Sequence, residues 1–173
     1  MTDPQRTPDP IALALKLPRG SGLIYRGFGL EGSKATALAL GRIARCRGLV
    51  LLIGADAVRV KGAGVHLPER MTHRARALKT RGLVVTAAAH SLPAILKARR
   101  AGADAVLISA VFASGSPSAG APLGPHRLAA LIRAGGLPAY ALGGITPKSA
   151  PRLLISGAAG LAGVEAFAEA LRT

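Results

Sequence analysis

Acidic, sulfur-bearing and aromatic side chains are scarce in this sequence, and each shortage closes off a class of protein. Eight acidic residues stand against 23 Lys and Arg, a formal net charge of +15. The one cysteine, Cys46, has no partner for an internal disulfide and no companions for a metal cluster. It reads as a small residue on a helix, and the usage fits a reducing cytoplasm, the expected location. Aromatics make up 3% of the chain, too few to stack single-stranded bases. Every apolar run is interrupted by Arg, Lys, Asp or Gly, so a membrane span is not expected. The opening "MTDPQRTPDP" lacks the charged-then-apolar order of a secretion signal. No G-x-G-x-x-G follows an early strand, which weakens a dinucleotide site, and no H-x-x-x-H spacing suggests a metal.

The basic residues are spread, not blocked. They fall at Arg42, Arg45 and Arg47, then Arg74, Arg76, Lys79 and Arg81, then Lys97, Arg99 and Arg100. Each group sits in a segment read as a surface helix, and no nucleic-acid-binding signature accompanies them. Nucleic acid is therefore disfavoured as a partner, and the charge better suits attraction of an anionic small substrate.

What is present is a globular chain of 173 residues, half of them apolar. Apolar runs alternate with helical patterns. Strands are expected at 22–28, 48–54, 64–67, 83–89, 105–112, 138–144 and from Gly160. Helices are expected at 34–45 (capped by Ser33), 56–61, 72–80 (capped by Thr72), 91–100, 125–134 and 148–155 (capped by Thr146, with Pro147 at its first position), with a last one at the C-terminus. Runs such as "GLVLLIG" do not alternate, the mark of strands buried on both faces. This order gives right-handed βαβ units and a parallel sheet. The expected fold is α/β: a (β/α) TIM-type barrel in one compact domain, helices outside, with Leu51, Val85, Ile108 and Ala141 facing its core. Seven strands are counted from Gly22 where that barrel has eight. "PIALALKLP" reads as a helix, so residues 1–21 form an N-terminal segment and 22–173 a barrel lacking its first strand. Whether a homo-oligomer supplies that strand stays open.

Ligands of such a barrel bind where the strands end. Those ends carry Arg26, Gly54, His66, His90, Ser114, Gly143, Gly144 and Glu165. Arg26 is either an anion clamp or an outward-facing surface residue. His66 and His90 are either hydrogen-bonded structural residues or acid–base groups. The doublet in "YALGGITP" lets something approach the backbone closely: a phosphate on bare N–H groups, or simply the chain itself in a tight turn. The loop 113–124 resembles a lid.

Taken in order, "GAGVHLPE", "AAAHS", "AGADAVLISAVFASGSPSAGAPLG", "PAYALGGITP" and "GAAGLAGVEAF" resemble the thiamine phosphate synthase/TenI family. These are compact (β/α) barrels of thiamine biosynthesis. The synthases join a pyrimidine methyl diphosphate to a thiazole phosphate, with Mg²⁺, and TenI proteins include a thiazole tautomerase. The resemblance, from about Gly22 onward, implies that Gly143 and Gly144 receive the thiazole phosphate and Arg26 the diphosphate. It further implies that Phe112, Ser114 and the loop to Gly124 cover the thiazole, and that His66 is structural.

The departures are equally specific. Phe28 stands where the synthase has a lysine, and Ala88 replaces a serine. "LLIGAD" lacks an Asn-Asp pair, and "HLPER" lacks the Asp that helps hold Mg²⁺, leaving Asp56 and Glu69 as out-of-register acids. The loop lacks the family's lysine, and Ala110 falls where the tautomerase has its histidine. Glu165 stands where a small hydroxyl residue is usual and would repel a dianion unless turned away or paired. Three readings follow: a synthase-type transferase with weakened activity, a TenI-like thiazole isomerase or non-catalytic binder, and a basic scaffold that reuses the barrel.

Overall fold

The computed structural model describes residues 1–27, 29–55, 57–115 and 120–164. Seven strands form one parallel sheet in chain order: β1 (Gly22–Tyr25), β2 (Val50–Gly54), β3 (Gly64–Leu67), β4 (Val85–Ala89), β5 (Ala105–Ile108), β6 (Ala139–Leu142) and β7 (Gly160–Ala162). Their register runs through Leu52↔Gly64, His66↔Thr86, Ala88↔Leu107 and Ile108↔Ala141. The sheet is curled but not closed by strand pairing. Residues 1 and 2 occupy the seam between its edges: the Thr2 N–H donates to Ile24 O on β1 and the Met1 amine to Gly163 O just past β7, both at 2.8 Å. Among the described residues the fold is therefore a curled half-barrel of seven parallel strands.

The α-helices are α1 (Pro10–Lys16), α2 (Ser33–Arg47), α3 (Ala75–Lys79), α4 (Leu92–Arg100) and α5 (Gly124–Gly135). Helix α2 buries Ala37, Leu40, Gly41 and Ala44, the i, i+3, i+4, i+7 stripe of a helix laid on a sheet. It is bracketed by glycines in the left-handed region, Gly32 (φ 73°) and Gly48 (φ 66°), so its N-cap is Gly32 and Ser33 is the first helical residue. Helix α4, expected from residue 91, begins one residue later with Ser91 as its N-cap, the Ser91 side chain accepting from the Ala94 N–H at 3.3 Å. No helix among the described residues is long and apolar enough to cross a membrane.

Three expected helices differ. Residues 57–63 form turns that send Val58 and Val60 to the core at a two-residue spacing, which suits extended chain. Thr72 is buried inside a 3₁₀ turn, Glu69–Arg74, where its hydroxyl donates to Glu69 O at 2.7 Å. After β6 only a 3₁₀ turn forms, Ala150–Leu153, because Pro151 has no N–H to continue a helix from Pro147. The expected C-terminal helix lies outside the described residues.

Strand alternation divides the core. Leu51, Val85, Ile108 and Ala141 are all buried, but in the layer between sheet and helices. The inner face carries Ile24, Leu52 and Leu107, packed with Met1, Leu142 and Ala162, one residue out of phase with the expected set. The same face holds the buried His66, whose Nδ1 lies 2.9 Å from Thr86 Oγ1.

Burial, with the charges of Arg26 and the Met1 amine nearby, lowers the His66 pKa from 6.5 to about 4. The unfolded imidazole takes up a proton near its ordinary value while the folded one resists. Stability from this residue is thus complete above about pH 6.5 and lost as pH falls toward 4, by roughly 3 kcal/mol. Urea unfolding from pH 7 to 4 is expected to show a steeper loss for the wild type than for His66→Gln. Parallel curves would contradict this.

Candidate functional site

All seven strands deliver their C-terminal ends to one cleft of about 800 Å³. Its wall follows the strand order: Arg26 and Gly27 after β1, Gly54 and Ala55 at β2, His66 and Pro68 at β3, Ala88 and His90 at β4. Ser109 and Ala110 follow β5, Gly143 and Gly144 follow β6, and Gly163 and Val164 follow β7. A parallel sheet places its strand ends together in this way, so residues far apart in sequence share one concavity.

Arg26 is half-buried and turned toward the N-terminal segment. Its Nε donates to Thr2 O at 2.8 Å, its Nη2 to Asp3 Oδ2 at 3.1 Å, and its N–H to Thr2 Oγ1 at 3.0 Å. Asp3 Oδ2 also lies 3.4 Å from Arg6 Nη2, and Arg6 lines the cleft as well. The same environment holds the Met1 amine at a pKa of about 5, through burial and then the Arg26 charge. Sequence reasoning had no signal for this cluster, because Asp3 and Arg6 sit in a segment without periodicity.

Across β4 and β5, the exposed His90 lies with Nδ1 2.8 Å from Ser109 O and 3.4 Å from Ser109 Oγ. A carbonyl oxygen only accepts, so Nδ1 carries a proton. Glu69 is also in the cleft, its Oε2 accepting from the His90 N–H at 3.1 Å.

Gly143 and Gly144 have φ of +100° and +62°. A Cβ on Gly143 would come 2.9 Å from Ala110 Cα, and one on Gly144 would strike Ala113 O and lie 2.8 Å from Phe112 O. The close neighbour of the doublet is thus the loop after β5, tied on by the Phe112 N–H donating to Gly143 O at 3.0 Å. Among the described residues, the Gly144 and Ile145 N–H groups have no acceptor. Thr146 and Ser149 then cap each other: the Thr146 N–H donates to Ser149 Oγ at 2.9 Å and the Ser149 N–H to Thr146 Oγ1 at 3.2 Å.

Ser114 lines the cleft, but Phe112 packs on the helix-side core with the Arg152 guanidinium 5.2 Å above its ring. Phe112 therefore packs away from the cleft, contrary to the role the resemblance implied for it, while residues 116–119 of the expected lid lie outside the described residues. Glu165, Asp56 and Phe28 lie outside the described residues. The described cleft is a poor fit to Mg²⁺, which asks for several oxygen ligands. Glu69 is bonded to the His90 backbone, Asp3 to two arginines, and no group of three metal-ligating side chains occurs among the described residues.

The curled parallel sheet of seven strands, with its strand ends around one cleft, gives the chain the architecture of a (β/α) half-barrel. The chain belongs to the thiamine monophosphate synthase family, whose family model matches residues 30–167. The thiamine-phosphate synthase of Chlorobium luteolum is 35% identical over 148 residues, 81% of this chain and 70% of the relative. A relative from Aquifex aeolicus is 33% identical over 114 residues, so the match spans 65% of this chain and 61% of that protein. The structure of thiamine phosphate pyrophosphorylase from Pyrococcus furiosus superposes with a TM-score of 0.76 at 20% identity, covering 99% of this chain and 93% of that one.

The steric account of the glycine turn is testable. Gly144→Ala is expected to cost roughly 2–4 kcal/mol, a left-handed residue plus overpacking. Gly82, at φ +72° with nothing within 4 Å of an added Cβ, is the control and should lose about 1 kcal/mol as alanine. Equal losses in urea unfolding would mean that the loop after β5 yields freely.

Proposed function

We propose that this chain is a transferase of thiamine biosynthesis, joining a pyrimidine methyl diphosphate to a thiazole phosphate. The observation that carries the reading is the meeting, in one cleft of a family member, of Arg26 with the Gly143–Gly144 turn. The C–O bond of the pyrimidine methyl group breaks and its electron pair leaves with diphosphate. The lone pair of the thiazole nitrogen then forms the C–N bond. Negative charge grows on the leaving group, so the protein's task is to hold anions and exclude water rather than to move protons. Arg26 meets the diphosphate as a fixed cation. The Gly144 and Ile145 N–H groups, with Ser114 close by in the cleft, receive the thiazole phosphate.

No step is routed through Mg²⁺, given the poor fit of the described residues. With the family's lysine replaced at Phe28, turnover is expected to be weak, since each lost charge-assisted contact costs roughly 1.5–3 kcal/mol. A second reading, proton transfer on a thiazole, is favoured by one observation: the Ser109 carbonyl orients the ring of His90, which lines the cleft, through its Nδ1 proton.

Diphosphate release with both substrates separates the two. Under the transferase reading, wild-type protein releases diphosphate only when the thiazole phosphate is present. Arg26→Gln then lowers kcat/KM at least tenfold, while His90→Asn lowers it less than threefold. Loss confined to His90→Asn, with thiazole isomerisation and no diphosphate release, would establish the second reading instead.

A further inference from the structure

The N-terminal segment lies outside the region matched to the family, yet its Met1 and Arg6 line the cleft, with Asp3 bonded to the cleft's Arg26. Asp3 sits between Arg26 and Arg6, one carboxylate oxygen 3.1 Å from one guanidinium and 3.4 Å from the other. Its second oxygen accepts the Gln5 and Arg6 N–H groups at 3.2 and 3.3 Å, which fixes the turn that brings Arg6 back over the cleft. The three side chains are each about a fifth to a quarter exposed (19–25%), so an anion from solvent can reach them.

We propose that Arg6 and Arg26 together form the anion site for the terminal phosphate of a diphosphate ester, and that the Asp3 carboxylate is the internal anion it displaces. The inference rests on the transferase reading for its ligand, and deepens it by assigning a second cation and a built-in competitor. Carboxylate and phosphate oxygens use the same fork of guanidinium donors, so one marks where the other binds. A diphosphate carries more charge than Asp3 and offers oxygens to both arginines at once. Asp3 keeps the two cations from repelling each other when the site holds no substrate, and its departure on binding costs affinity. The apparent dissociation constant is the intrinsic one divided by the fraction of molecules in which Asp3 has left the arginines.

The test is calorimetric titration of the full chain with inorganic diphosphate at fixed ionic strength. Asp3→Asn retains an oxygen for the Gln5 and Arg6 N–H groups but carries no charge. It is expected to bind diphosphate at least threefold more tightly than wild type. Arg6→Gln, which leaves Arg26 in place, is expected to bind at least fivefold more weakly. If the Asp3 variant unfolds more readily, the Arg6 variant still decides the cation assignment. Binding unchanged within twofold in both variants, or weaker in Asp3→Asn, overturns the proposal. So does an absence of diphosphate binding to both wild type and Asp3→Asn. Turnover with both substrates, measured separately, shows whether the transferase reading survives such a result.

Discussion

A parallel sheet of seven strands, curled so that its first and last edges face each other, leaves two rows of peptide groups without a ladder partner. Exposed edges of this kind invite pairing with other chains. Here the Thr2 N–H takes Ile24 O on one edge and the Met1 amine takes Gly163 O on the other. The same short segment then turns Asp3 toward Arg26. The bond that closes the seam and the contact that occupies the basic side of the cleft are thus made by adjacent residues. Architecture and site therefore meet in this segment, with Thr2 on the sheet edge and Asp3 on Arg26.

The glycine doublet after β6 carries two demands at once. Its backbone conformation and the pressure of Phe112 and Ala113 require the absence of side chains whether or not a ligand binds. The N–H groups of Gly144 and Ile145 belong to residues that line the cleft and have no acceptor among the described residues. A turn made tight for packing also presents bare donors, so the steric and ligand readings of the sequence "GG" are compatible. Nor is the 3₁₀ turn after Thr146 a full helix whose dipole would add to the attraction, since Pro151 interrupts it.

The order and parallel arrangement of the strands were legible because each buried strand is a compact apolar run between glycines. "GLVLLIG" needs both faces apolar: Leu51 and Ile53 go to the helices and Leu52 to the interior. Such a run does not reveal which residue points inward, and the expected inner set was off by one. Helix starts were legible to within a residue, as at Ser91 and Ser33, but the capping residue was not: Ser91 caps the helix it was expected to begin, and Gly32 stands where Ser33 was expected to cap. The segment after β2 was misread because alanine and valine serve a turn as readily as a helix. At the site, Arg26, His66, His90, Ser114, Gly143 and Gly144 could be gathered from the rule that barrel ligands sit at strand ends, and they do line one cleft. What each contacts was not legible. Asp3 reaches Arg26 and Arg6 through tertiary folding of a segment with no pattern of its own, and the Ser109 carbonyl behind His90 follows another strand.

The central claim is that the cleft at the strand ends holds two anions, one at the arginines and one at the glycine turn. A crystal structure of the full chain soaked with inorganic diphosphate and thiazole phosphate tests it most directly. The account predicts diphosphate oxygens within hydrogen-bonding distance of the Arg26 guanidinium, with Asp3 displaced, and a phosphate on the Gly144 and Ile145 N–H groups. Anions found only on the arginines of the outer helices, with Asp3 still on Arg26 and the turn bare, would contradict it.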